Sequence, residues 1–183
     1  MPEFAYDLKI PKERIAVLIG KNGETKAQLE EATSSNLDID SKEGDVTITG
    51  NDAIGLYSAR EIIKAIGRGF NPEIALLLTK QDYVLEILEV TDYVKDKKSH
   101  MERIKGRVIG TGGKTRKTIE TLTGCSVSVY GKTIGIIGEA ESATIARRAV
   151  ESLLNGSPHK NVYKWLEKRY KELQMRQFAE RNL

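Results

Sequence analysis

The segment Ile19-Gly20-Lys21-Asn22-Gly23 recurs ninety positions later as Ile109-Gly110-Thr111-Gly112-Gly113, and the residues around each copy correspond as well. At that offset Thr25 meets Thr115, Lys26 meets Arg116, Leu29 meets Ile119 and Thr33 meets Thr123. Leu37 and Ile39 fall on Val127 and Val129, with the period-two alternation of a half-buried strand. The offset then drops to eighty-eight, so that Val46, Ile48 and Gly50 meet Ile134, Ile136 and Gly138. The slip lies in the loop between two strands, around Gly44 and Gly131, where a surface connection tolerates a change of length. A chain written this way holds one structural unit twice. Glycine spacing alone would not establish this in a chain with 16 glycines. Gly135-Ile136-Ile137-Gly138 has the same spacing, but its apolar interior reads as a strand. The shared surroundings of the other two brackets carry the conclusion.

Each copy reads as strand, helix, bracket, helix, two strands and a closing helix, an α+β architecture. In the first, Phe4, Tyr6, Leu8 and Ile10 alternate with polar residues until Pro11 stops the strand. A short helix over 12–19 ends at Gly20, and a second covers 24–33 with Ala27, Leu29 and Ala32 as expected core positions. Strands over 37–40 and 46–49 follow, and Asn51 or Asp52 is positioned to cap a helix that runs to about Gly67. A turn at Gly69-Phe70-Asn71-Pro72 leads into a short apolar helix over 73–78. The second copy repeats the order with a strand at 83–89, helices at 100–109 and 114–122, strands at 127–129 and 133–137, and a helix at 139–154. Residues 91–99 are an insertion without a counterpart in the first copy. Gly156-Ser157-Pro158 ends the closing helix. A final helix over 160–180 carries Val162, Trp165, Leu166, Tyr170 and Leu173 near helical spacing, which predicts docking on the core of a module rather than a free tail. The expected boundaries are a first module at 1–69, a linker with a short helix at 70–80, a second module at 81–156 and the last helix at 157–183.

Two modules of about 80 residues are each near the small end of what folds alone. The net charge of +3 says little about partners. A single cysteine, Cys125, excludes a disulfide framework within the chain and reads as a small buried apolar residue. His100 and His159 stand apart from any Cys, Asp or Glu at metal-ligand spacing, so no metal or cofactor is expected. No apolar run has the length of a membrane span and Met1-Pro2-Glu3 is no signal peptide, so a soluble, cytoplasmic protein without membrane contact is expected. Gly113-Lys114-Thr115 ends like a phosphate-binding loop, but Val108 stands where that motif needs its first glycine. No local catalytic signature is present, and neither catalysis nor a small-molecule substrate is expected.

A bracket of two glycines lets backbone approach a ligand closely, and the following helix aims its free amides and positive dipole end at the same place. A sugar-phosphate backbone suits such a site, with bases laid over the adjoining helix and strand. Charge then separates the copies. From 102 to 118 stand Arg103, Lys105, Arg107, Lys114, Arg116 and Lys117 against Glu102 alone. From 12 to 31 Lys12, Arg14, Lys21 and Lys26 are balanced by Glu13, Glu24, Glu30 and Glu31. Lys114, Arg116 and Lys117 occupy a helix start, where the dipole disfavours each cation by roughly 0.3–1 kcal/mol. An anionic partner explains that placement better than folding does. The principal RNA-binding set expected from sequence is Arg107, Val108, Ile109, Gly110, Thr111, Gly112, Gly113, Lys114, Thr115, Arg116, Lys117, Val127 and Val129. A secondary set is Ile19, Gly20, Lys21, Asn22, Gly23 and Lys26.

The run Val108-Ile109-Gly110-Thr111-Gly112-Gly113, with Ile119 and Thr123-Gly124-Cys125, closely resembles the signature of the KH domain. Only about ten residues precede the first helix, which corresponds to the type I arrangement, β-α-α-β-β-α, with a three-stranded antiparallel sheet and helices on one face. Both copies depart from the signature at Lys26 and Arg116, where KH domains usually carry an aliphatic residue along the base groove. An extra phosphate or base-edge contact is implied instead. Outside the modules, residues 65–72, Gly156-Ser157-Pro158 and Val162-Tyr163 resemble the ribosome-assembly KH proteins, in particular the archaeal branch of the family that partners the Nob-one endonuclease and includes the dimethylase-interacting pre-rRNA processing proteins. That resemblance implies a non-catalytic role, binding of single-stranded pre-ribosomal RNA near the 3′ end of the small-subunit RNA, and the Nob-one-type endonuclease as a partner. Two other readings stay open at this stage: a protein-interaction scaffold whose first module faces a protein, and a KH adaptor in RNA decay or translation.

Overall fold

The computed structural model describes residues 1–94 and 98–183. The chain divides into two compact units, Met1–Leu85 and Glu86–Leu183. In the first, β1 (Phe4–Lys9) leads to α1 (Lys12–Ile19), a 3-10 turn at Lys21–Gly23 and α2 (Glu24–Thr33). Then come β2 (Ser35–Ile39), β3 (Asp45–Gly50) and α3 (Ala53–Gly67). The sheet order is β1-β3-β2, with both pairs antiparallel and Tyr6 and Leu37 opposite Ile48. Val46 and Ile48 are buried while Asp45 is exposed, so β3 turns one face to the helices. The α3 helix begins at Asp52, whose carboxylate accepts the Ile54 N–H at 3.1 Å, a cap worth about 1 kcal/mol. It lays Leu56, Ala59, Ile62, Ile63 and Ile66 into the core, each large aliphatic contributing about 1.5–3 kcal/mol of burial. Asn51 serves otherwise, accepting the Glu3 N–H.

The α4 helix (Pro72–Ala75) and the 3-10 turn at Leu76–Thr79 pack on α3 through Ala75 and Leu78, both buried. Two core positions expected in α2 are corrected here. Ala27 and Ala32 are exposed, and the buried residues of the helix are Leu29 and Thr33. The alanines lie on the solvent side, where their helix propensity rather than their burial matters.

The second unit repeats the plan with β4 (Tyr83–Glu89), α5 (Lys98–Ile109), a 3-10 turn at Thr111–Gly113 and α6 (Lys114–Thr123). Next are β5 (Ser126–Tyr130), β6 (Thr133–Glu139) and α7 (Ala140–Leu154). Its sheet order, β4-β6-β5, matches the first. A 3-10 turn at Val90–Tyr93 opens the insertion, whose residues 95–97 lie outside the described residues. The last helix, α8 (His159–Arg181), packs on α6 and α7, burying Val162 and Leu166. Two tandem α+β modules with a C-terminal helix are therefore present. Cys125 is 4% exposed, and burial pushes its thiol upward from the ordinary value.

Candidate nucleic-acid interface

Each bracket is built the same way. Gly20 and Gly110 end the preceding helix with φ of 75° and 74°, each donating its N–H four residues back, to the carbonyls of Ala16 and Gly106. A β-carbon on Gly110 would stand 2.2 Å from Thr115 Oγ1, and one on Gly20 would stand 2.3 Å from Thr25 Oγ1. The threonine five residues on thus requires the first glycine, whatever a ligand would also demand of it. The turn closes when Gly113 and Gly23 donate to the carbonyls of Gly110 and Gly20. Gly113 and Gly23 have φ of 76° and 77°. Between them Gly112 and Asn22 share the left-handed region at φ of 60° and 53°, where asparagine is one of the few tolerated side chains.

Both second helices start on the bracket's last glycine without a side-chain cap, and the first amide of each, on Glu24 and Lys114, donates within the turn to the carbonyls of Lys21 and Thr111. Around the second bracket Lys114, Arg116 and Lys117 are all exposed on α6. Around the first, Glu24 takes the place of Lys114. Arg116 reaches toward β5, its guanidinium 3.5 Å from the Val127 carbonyl oxygen, and Glu120 accepts the Val127 N–H at 2.9 Å. The first unit repeats the carboxylate contact with Glu30 and the Leu37 N–H, at 2.8 Å. The two helices are thereby tied to the edge strand of each sheet, which fixes the width of the groove between bracket and strand.

Several residues of the expected set do other work. Val108, Thr115 and Val127 are at most 3% exposed, so their side chains pack inward and offer a ligand little surface. Arg107 is an internal anchor: its Nε donates to the Leu153 carbonyl at 2.9 Å and its terminal nitrogen to that of Ser157 at 2.6 Å. Arg14 forms the matching fork in the first unit, to the carbonyls of Ile66 and Phe70 at 2.8 and 2.9 Å. Both caps satisfy carbonyls at the end of the module's last sheet-covering helix, where a cation also suits the dipole. Lys105 is held by Glu102 and the Gly131 carbonyl. The exposed remainder near the second bracket is Ile109, Thr111, Gly112, Lys114, Arg116 and Lys117, with Gly110, Gly113 and Val129 half-buried. In the first unit Lys21 and Asn22 are exposed, while Ile19, Gly20, Gly23 and Lys26 are half-buried.

Sequence reading missed the part played by α8. Tyr163 Oη lies 2.8 Å from Thr115 Oγ1, and His159 Nε2–H donates to the Arg107 carbonyl at 2.8 Å. The last helix thus braces the bracket from behind. These contacts join residues 48 and 52 apart in the chain, and no local pattern announces them.

A general KH-domain model matches residues 6–65, and a PNO1-type model, described as a eukaryotic-type KH domain of type I, matches residues 84–171. A KH domain-containing protein of Methanocaldococcus jannaschii is 49% identical over 175 residues, spanning 93% of this chain and 76% of that one. The crystal structure of an a/eIF2alpha-aDim2p-rRNA complex from Pyrococcus horikoshii OT3 superposes with a TM-score of 0.86 at 46% identity, covering 92% of this chain and 95% of that one. The chain belongs to the tandem-KH family of Dim2p and PNO1. The RNA-binding protein PNO1 of Oryzias latipes is 37% identical over 113 residues, 61% of this chain and 46% of its own length, so the match spans under half of that eukaryotic family member. Among the described residues no helix is long and apolar enough to cross a membrane, and no cluster of His, Cys, Asp or Glu could hold a metal ion.

Proposed function

We propose that this protein is a non-catalytic, cytoplasmic assembly factor. It binds single-stranded pre-ribosomal RNA near the 3′ end of the small-subunit RNA, with the second module as its main clamp. The observation that carries this reading is the uncapped start of α6, where an open glycine bracket is followed by exposed Lys114, Arg116 and Lys117. Phosphates over the bracket would meet the helix dipole and three cations at once. Membership in the Dim2p and PNO1 family, and the ribosomal RNA in the complex of the Pyrococcus relative, support RNA of that class. The Nob-one-type endonuclease belongs to the same proposal as a partner.

The test is a fluorescence anisotropy titration of a short RNA from the small-subunit 3′ end. Gly112→Asp, which places a carboxylate on the bracket, should weaken binding by about tenfold or more. Gly112→Asn keeps the backbone that Asn22 already adopts and should bind nearly as wild type. Undiminished affinity in Gly112→Asp overturns the assignment of the bracket. Asn22→Asp should cost less than Gly112→Asp, and an equal or larger loss would refute the ranking of the modules.

A protein contact in addition to RNA is favoured by the first unit. Phe4, Tyr6, Ile54 and Tyr57 are exposed there, and the bracket carries no net positive field. Bound proteins that all disappear from a pull-down after nuclease treatment would count against it.

A further inference from the structure

Behind the second bracket, on the side of α6 that faces α8 rather than β5, lies a cavity of about 420 Å³. It shares Gly110, Thr111, Lys114 and Thr115 with the bracket and the start of α6, and extends from them to Arg103 and Gly106 of α5 and to His159 and Tyr163 of α8, with Arg107 at its wall. Among the described residues no carboxylate does. Arg107 and His159 are fixed by the bonds given above, so two of the basic groups cannot swing away from the others. Gathering like charges around one space is unfavourable unless an anion shares it.

Gly106 is a second, independent observation. It lies inside α5, where glycine weakens a helix relative to alanine, yet a β-carbon there would meet nothing within 4 Å. Packing does not require this glycine, and its missing side chain keeps the cavity open.

The duplication supplies the control. At the offset of ninety the first copy has Glu13 for Arg103, Ala16 for Gly106 and Glu24 for Lys114. After the third helix the two Arg forks align Ile66 with Leu153 and Phe70 with Ser157, an offset of eighty-seven. That register puts Pro72 at His159 and Leu76 at Tyr163. One fold thus carries acidic and apolar residues at these places in one copy and cationic, hydrogen-bonding ones in the other.

We infer that this cavity is a second phosphate subsite, which takes a phosphate group of the bound RNA strand beyond the nucleotides held over the bracket. The inference rests on the RNA-binding reading above. It places the continuing strand toward α8, away from the base groove between α6 and β5.

The test compares an RNA of about four nucleotides, the span of one KH clamp, with the same RNA extended by a few nucleotides at either end. In wild type, extension at one end should raise affinity about tenfold and steepen the dependence of log K on log salt by about 0.7, the signature of one further phosphate contact. Arg103→Glu, which installs the first copy's residue, and Gly106→Leu, which fills the cavity from a good helix former, should each abolish that gain. Both should still bind the short RNA as wild type does, which also reports that they are folded. Retention of the gain in both variants overturns the subsite. So does an equal loss of short-RNA binding, because the cavity would then serve only the nucleotides held over the bracket. If inorganic phosphate alone raises the melting temperature of wild type but not of Arg103→Glu, and extension gains nothing, the cavity holds a free anion and the RNA assignment falls. Wild-type protein that binds neither RNA refutes the parent reading, and the subsite with it.

Discussion

Thr115 Oγ1 and Tyr163 Oη stand 2.8 Å apart, tying the first turn of α6 to the last helix. Thr115 is 3% exposed and pressed against Gly110, so its hydroxyl depends on Tyr163 as its partner. Tyr163→Phe should therefore destabilise the protein by about 1–3 kcal/mol, the cost of an unsatisfied buried hydroxyl. A urea titration should show a lower midpoint at unchanged slope. Thr115→Val added to Tyr163→Phe should cost less than the two single changes summed.

The two glycines of the second bracket differ in what they tolerate. Gly110→Ala meets a positive φ and Thr115 Oγ1 at 2.2 Å, whereas Gly113→Ala meets a positive φ and open space. The backbone term alone is about 1–3 kcal/mol in each. Gly110→Ala should lower the melting temperature more than Gly113→Ala does, and the reverse order would contradict this account of the turn.

Arg107 carries charge next to the bracket but spends it on the carbonyls of Leu153 and Ser157. Arg107→Lys keeps the charge and loses the planar fork. Stability should fall by about 1–3 kcal/mol. Removing the charge too, in Arg107→Gln, should leave the salt dependence of short-RNA binding unchanged, whereas it would become shallower if Arg107 neutralised a phosphate over the bracket.

Lys114 opens α6 where the dipole favours an acid, and the first copy has Glu24 there. Lys114→Glu should raise stability by about 0.3–1 kcal/mol while lowering RNA affinity. Opposite signs from one substitution separate a residue kept for a ligand from one kept for the fold. Equal signs would remove that argument.

Cys125 is buried, and burial pushes its thiol above the ordinary value of 9.0 while its hydrogen bond to Thr123 works the other way. The fold therefore favours the neutral thiol. That contribution is fully present below pH 9.0, the unfolded value, and is lost as pH rises from there through the raised folded value. Native protein should resist iodoacetamide at neutral pH and label only on unfolding. Cys125→Ala should flatten the alkaline limb of the stability profile.

Much of the fold was legible because its signals are local. Pro11, Gly20 and Gly23 bound α1 and α2 at the residues where the chain breaks, and Tyr83–Glu89 forms the strand that its alternation predicts. Burial was legible less often. Ala27 and Ala32 are apolar enough to suggest a core face, but only tertiary packing decides which side of α2 is covered, and it covers Leu29. The basic run beside the second bracket was visible as composition. Which cations remain exposed was not, since Lys105 and Arg107 are claimed by carbonyls 26, 46 and 50 residues away. Val108, Thr115 and Val127 sit beside the motif in sequence yet point inward, because helix and strand periods send neighbours to opposite faces.

The arginine forks of the two units end on equivalent carbonyls but start from different places. Arg14 aligns with Ile104, and Arg107 with Val17, one helical turn apart. Residue-by-residue comparison of the copies would score this arginine as lost from both, though the anchor survives in each. A hybrid with α1 grafted in place of α5 would bring its own guanidinium to Leu153 and Ser157. The same mechanical joint is thus reached from attachment points one turn apart on the helix.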